Sequence, residues 1–356
     1  MKPPVTIGST ASVPAKPAHP EKALISPKNH GIPTDTCGTT CNGWPSVVSF
    51  LIKGESKQRM STVGQPAREL AAVPFGRRIG ACRLSETVLI AYFTYMAMLA
   101  FAYSLPPSRR LMAAFIPMAL FVLAWVETRY TRLWSSVARD WAPLGLVLLG
   151  YWQIDWFAAP PLIRLQELLV RWDRIILENW GLRQAVEGLG PLIPGTLELC
   201  YLLLYSIPPL CVAALYLYRR RVRVERFLTT FLLGSFTTYA LLPHFPSFSP
   251  YIAFPDADLP GIWTSIRGVN LFVLSKLDIS TSVFPSGHVA VAFSAGFGLM
   301  RALPERRWLS AAVLLMATLV FLATIYCRYH YAADGAASIL ISVAAWRVSR
   351  LYDRRS

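Results

Sequence analysis

Apolar residues in this chain fall in long blocks rather than in the 3.6-spaced or alternating patterns of a soluble fold. The blocks begin at Ser85 and run roughly 85–105, 111–128, 138–157, 197–218, 226–243, 284–302, 308–328 and 332–348. A helix rises 1.5 Å per residue, so about 20 residues cross the ~30 Å hydrocarbon core of a bilayer. The pattern predicts an all-α polytopic membrane protein with about eight transmembrane helices.

Two connecting stretches have characters of their own. Across 158–196, Leu162, Leu165, Leu168, Leu169 and Trp172 recur at helical spacing, with Arg164, Glu167, Arg171, Asp173 and Arg174 between them. That is the pattern of an amphipathic helix on the outer interface, serving either as a lid or lipid gate or as a structural collar. The stretch 244–283 opens on His244, Phe245, Pro246, Ser247, Phe248, Ser249 and Pro250. It is too irregular to face lipid and is expected to roof whatever begins at Phe284. Residues 1–80 are rich in Pro, Lys, Ser, Thr and Gly without sustained periodicity, which predicts a disordered cytoplasmic tail. The first twenty residues contain no apolar core of a signal peptide. The expected organisation is a tail (1–80), two accessory transmembrane helices (81–133) and a membrane core (134–350).

Composition agrees with a membrane setting. Of 356 residues, 54% are hydrophobic and 15% charged, against about a quarter charged in soluble domains; the mean hydropathy is +0.41. The net charge of +15 would suit nucleic acid, but the basic residues cluster in loops between apolar blocks, so no nucleic-acid partner is expected. Arg77, Arg78 and Arg83; Arg129 and Arg132; Arg219, Arg220, Arg221, Arg223 and Arg226; Arg301, Arg306 and Arg307; and Arg347, Arg350, Arg354 and Arg355 occupy alternate loops. The positive-inside rule makes that side and both termini cytoplasmic. His244, His288 and His330 then share the opposite, extracytoplasmic face. The expected location is a bacterial inner (plasma) membrane. The six cysteines show no zinc spacing; Cys37 and Cys41 read as unrelated thiols of the tail, and Cys200, Cys211 and Cys327 as packing residues.

The chemistry gathers on the hairpin from Phe284 to Asp334. Two apolar runs, Val289 to Met300 and Trp308 to Tyr326, are joined by a short arginine-bearing turn. Going across and back returns His288 and His330 to one face. Pro285, Ser286, Gly287 and His288 sit where a helix begins, and its N–H groups and dipole favour an anion. Gly287 permits close approach; Ser286 either donates to the anion or caps the helix. His330 and Asp334, at i and i+4, share a helix face. A carboxylate on one imidazole nitrogen frees the other to attack, while His288 can protonate a leaving oxygen. Arg328 offers a guanidinium fork for phosphate, and ionisable groups at such a depth are functional by default.

Phe-Pro-Ser-Gly-His at the head of one membrane helix, followed about 40 residues on by His-x-x-x-Asp, resembles the type 2 phosphatidic acid phosphatase superfamily. Arg328-Tyr329-His330-Tyr331-x-x-Asp334, together with Arg139, Asp140 and Trp141, resembles its inositolphosphotransferase-like branch, which includes inositol phosphorylceramide synthases. The likeness spans roughly 134–348. It implies a six-helix phosphatase-like core, a phosphohistidine at His330 oriented by Asp334, His288 as general acid, phosphate binding at Ser286 and Gly287, and no metal or other cofactor. Two departures stand out. Thr324 and Ala323 occupy the family's Ser-Arg positions, and the family's Lys-x6-Arg-Pro motif is missing, leaving Arg267 and Lys276 as the nearest basic candidates for the phosphate.

The expected function is cleavage or transfer of a phosphoryl group on a lipid phosphate, with water, inositol or another alcohol as acceptor. Two other readings compete: a lipid or solute transporter or flippase without hydrolysis, and a degenerate, non-catalytic family member. Oligomeric state is not legible.

Overall fold

The computed structural model describes residues 78–79, 82–130, 133–255, 259–279, 281 and 283–354. The expected tail, with Cys37 and Cys41, lies outside the described residues apart from Arg78 and Ile79. A two-residue antiparallel ladder pairs β1 (Arg78–Ile79) with β2 (Cys82–Arg83). Otherwise the regular structure is helical: α1 (Leu84–Ala102), α2 (Pro107–Arg129), α3 (Leu133–Ile154), α4 (Ile163–Arg174), α5 (Leu182–Glu187), α6 (Leu192–Leu203), α7 (Ile207–Leu217), α8 (Val224–Leu241), α9 (Pro250–Ala253), α10 (Ser265–Leu277), α11 (Gly287–Ala302), α12 (Arg307–Tyr326) and α13 (Ala332–Arg354).

Among the described residues, four helical stretches are long and apolar enough to cross a membrane, which is compatible with an integral membrane protein: Leu84–Ala102, Pro107–Glu127, Leu192–Leu217 and Pro304–Tyr326. The sequence predicts eight. The other four blocks are also helical but shorter or more polar: α11 has 16 residues, α3 carries Arg139 and Asp140, α8 carries Glu225 and Arg226, and α13 carries Asp334 and Arg347.

α11 lies at the centre, packed against α7, α8, α12 and α13. Its face is small: Gly287, Ala290, Ala292, Ser294, Ala295, Gly296 and Gly298 are all buried. Small residues let helix backbones approach where lipid supplies no hydrophobic drive. At Gly234 of α8 a Cβ would stand 2.0 Å from Ser294 Oγ and 3.0 Å from its Cβ, so any larger residue would have to push Ser294 aside. Serines then join α11 to α13: Ser294 Oγ donates to Ser342 Oγ (2.9 Å) and Ser338 Oγ to the Ser286 carbonyl (2.8 Å).

The arginine-bearing helix ends meet at one end of the bundle. Asp140 accepts from Arg83 Nη1 and Arg221 Nε, both at 2.8 Å, and from Tyr216 Oη at 2.7 Å. Arg139 pairs with Glu86, and Glu305 with Arg220 and Arg223. The Arg139–Asp140 pair is thus an electrostatic knot tying α1, α3 and the α7–α8 turn together. Cys200, Cys211 and Cys327 are buried free thiols.

Candidate active site

The other end of the bundle brings together the two halves of the hairpin motif. Ser286 is the N-cap of α11: its Oγ accepts from the Val289 N–H at 3.3 Å, satisfying one of the donors a helix start leaves open. Gly287 follows because a Cβ there would sit 3.0 Å from the Tyr239 ring and 3.3 Å from that of Tyr151. After α12, the chain reverses through Arg328, which takes a left-handed φ of +68°. The His330 N–H returns to the Thr324 carbonyl at 2.9 Å. Asp334 opens α13, and its Oδ2 accepts from the Tyr331 N–H at 2.9 Å. The Ser286 N–H donates to the Asp334 carbonyl at 3.1 Å, tying the two helix starts directly to each other.

The outcome is a row of three ionisable side chains. His288 Nδ1 lies 3.1 Å from His330 Nε2, and His330 Nδ1 lies 3.5 Å from Asp334 Oδ2. The far side of His288, Nε2, meets Tyr205 Oη at 3.3 Å. All three are buried. Burial pushes the His330 imidazole down to about 4, partly opposed by the carboxylate of Asp278, so the ring is neutral at pH 7 with a lone pair to offer. Nε2 faces His288, and Nδ1 faces the Asp334 carboxyl group.

The basic residues expected at the phosphate sit differently. Arg328 pairs with Asp173 of α4, both buried, and the second Asp173 oxygen accepts from the Ala332 N–H at 3.1 Å. Arg267 is buried on α10; its Nη1 donates to Glu198 Oε1 (3.1 Å) and to the Cys327 carbonyl (2.9 Å). Lys276 is on the exposed side of α10. His244 lies beside Tyr95, 2.5 Å from its hydroxyl.

Four further residues belong to this site and carry no sequence motif. Glu198 accepts from Arg267, from Asn270 Nδ2 at 2.6 Å and from Tyr329 Oη at 2.6 Å, clamping the residue beside His330. Asp173 anchors the turn from the other side. Asp278 accepts from Tyr151 Oη and, at 3.2 Å, from Tyr251 Oη. Tyr205 touches His288. Their signals are long-range pairings between loops, which periodicity does not reveal. Among the described residues, no group of three or more His, Cys, Asp or Glu side chains could hold a metal.

A cavity of about 370 Å³ opens onto His288 from within the bundle. Its walls are Leu148, Tyr151, Leu204, Pro208, Phe231 and Val291 from α3, α7, α8, α11 and the α6–α7 junction. An apolar cleft ending in a few polar groups is the general form of a small-molecule site.

A helical bundle with apolar spans, and a histidine–histidine–carboxylate row at one end beside an apolar cleft, defines a membrane phosphatase-like protein. Residues 167–348 match the PAP2 superfamily, and the chain belongs to that family. It is also 28% identical over 127 residues to a PA-phosphatase related-family protein of Dictyostelium discoideum, covering 34% of this chain and 22% of that relative. No solved structure matches it significantly. The family match ends at the same residue, 348, as the likeness read from the motifs.

Proposed function

We propose that this protein is an integral-membrane lipid phosphate phosphatase or phosphotransferase that works through a phosphohistidine at His330. The observation that carries the reading is the 3.1 Å approach of His330 Nε2 to His288 Nδ1, with Asp334 behind the first ring and an apolar cleft against the second. The two rings, in direct contact here, part in this reading to admit the phosphoryl group, which then meets the nucleophile on one side and the proton donor on the other. In the first step His330 Nε2 bonds to phosphorus as the P–O bond to the lipid breaks, and the proton on His288 passes to the departing oxygen. In the second, water or an alcohol attacks phosphorus and gives its proton to His288, and the N–P bond breaks. Asp334 holds the His330 tautomer and stabilises the cationic ring.

The cleft lies on the His288 side, where the leaving oxygen emerges. An apolar departing alcohol would fit that cleft, which supports a lipid as the substrate. Ser286 and the first-turn N–H groups of Gly287 and His288, which have no intrahelical acceptor, form the phosphate cradle. Arg328 and Arg267 serve the phosphate through the turn they hold, and Lys276 through its long-range field. All eight apolar blocks cross the bilayer in this reading, around a six-helix core of phosphatase type. The arginine end is cytoplasmic, α4 lies on the outer interface, and the histidine row is extracytoplasmic. The Arg328-Tyr329-His330-Tyr331 turn favours the inositolphosphotransferase-like branch, with inositol or another alcohol as acceptor.

The test is purified protein offered a panel of lipid phosphates with and without inositol, reading free phosphate and new phospholipid together. His330→Ala is expected to abolish both products and Asp334→Asn to slow them at least tenfold. Undiminished turnover in His330→Ala overturns the mechanism. Translocation of lipid by the wild-type protein without phosphate release would favour a flippase.

A further inference from the structure

At the end of the bundle opposite the histidines, the same three helices enclose a second cleft. It has a volume of about 610 Å³ and lies between the end of α11, the start of α12 and the end of α13. Three guanidinium groups line it, those of Arg301, Arg307 and Arg350, together with Ser310, and among the described residues no carboxylate does. The nearby Glu305 is spoken for: Arg220 and Arg223 hold its oxygens at 2.9 and 2.7 Å. The arginines are also organised. Arg301 Nη1 donates to the Arg226 carbonyl (2.9 Å) and Thr230 Oγ1 (3.1 Å) of α8, which fixes its position. The Arg350 guanidinium lies 4.8 Å over the Trp346 ring, which stacks in turn on Phe297. Below the charged rim the wall is apolar, with Leu314 and Trp346 running into the membrane-crossing stretch Pro304–Tyr326.

We infer that this cleft binds the phosphate headgroup of an anionic phospholipid, with an acyl chain along Leu314 and Trp346. Guanidinium forks match phosphate oxygens, and basic pockets between membrane helices are suited to anionic headgroups. Arginines that merely snorkel would spread around the bundle rather than converge on one concave site. A lipid seated there bridges the far ends of α11, α12 and α13, whose other ends carry His288, His330 and Asp334. The inference does not depend on the reaction proposed above.

The experiment is a titration of the full chain in neutral detergent with short-chain phosphatidylglycerol, with phosphatidylcholine as the neutral comparison, read by thermal unfolding and by native mass spectrometry of retained lipid. The wild-type protein is expected to retain and be stabilised by phosphatidylglycerol selectively. Arg307→Gln/Arg350→Gln, both at exposed positions, should fold normally and weaken that response about tenfold, or 1.4 kcal/mol; Arg307→Gln alone should give part of it. Arg306→Gln/Arg347→Gln removes the same charge from exposed positions outside the cleft and should leave the response intact. Equal responses to the two lipids, or equal losses in the two double variants, overturn the site.

Discussion

The ion pair between Arg328 and Asp173 allows a sharp test of what holds the histidine row. Their side chains are 3% and 1% exposed, and Asp173 also accepts the first N–H of α13. Asp173→Ala removes the carboxylate paired with a buried guanidinium, which costs about 3–5 kcal/mol, and the acceptor of the Ala332 N–H, roughly 1 kcal/mol more. Against a typical stability of 5–15 kcal/mol, about 4–6 kcal/mol is a large fraction. Asp173→Asn keeps an acceptor for Ala332 and should lose about half as much. Asp173→Leu/Arg328→Met removes both charges and should return to within about 2 kcal/mol of wild type, because an apolar pair needs no compensation. Unfolding of the purified protein by SDS titration reads these differences, and turnover is measured on the same samples. If Arg328 works by holding the turn, the double variant keeps turnover within a few-fold. A loss below about 1 kcal/mol for Asp173→Ala would refute the reasoning. A stable double variant without turnover would instead place Arg328 on the phosphate.

Other predictions follow from single features. Because burial pushes His330 down to about 4 against about 6.5 for an unfolded histidine, the unfolded chain binds more protons between those values; stability should fall as pH drops from about 6.5 to about 4, and His330→Gln should reduce that slope. A Cβ at Gly145, on the wall of the apolar cleft, meets nothing within 4 Å. Gly145→Leu should therefore fold and process a short-chain phosphomonoester normally, while kcat/KM for a long-chain lipid phosphate falls at least tenfold; equal effects on both substrates would remove the cleft from substrate binding. A Cβ at Gly335 would stand 2.3 Å from the Phe321 ring, so Gly335→Ala should cost about 1–3 kcal/mol in the same SDS titration.

The sequence exposes those parts of the molecule whose signals are local. Every apolar block is helical, because a helix satisfies the backbone hydrogen bonds of a long apolar run within the run itself. His288, His330 and Asp334 were legible because each occupies the start of a helix or the turn before it, where helix length and i, i+4 spacing fix the placement. Ser286 left two roles open, and the structure shows it capping α11. The amphipathic period of 158–196 located α4, but nothing in it marked Asp173 as the partner of a residue 155 positions away. Asp278 and Glu198 were equally silent: one follows a short helix in an irregular segment, the other sits inside an apolar run, and both acquire meaning only when loops and helices close around them.

The serine stitches between α11 and α13 bear on how the site meets its surroundings. Ser294 to Ser342, Ser338 to Ser286, and the Ser286 N–H to Asp334 are bonds between protein groups facing inward. A bilayer that thins, thickens or curves pushes on the outer faces of the bundle, while these inner bonds tie the start of α11 to the start of α13, beside which His288 and His330 stand. If His330 carries the proposed reaction, a response to bilayer thickness should therefore appear in how lipids reach the cleft, as a change in KM rather than in kcat.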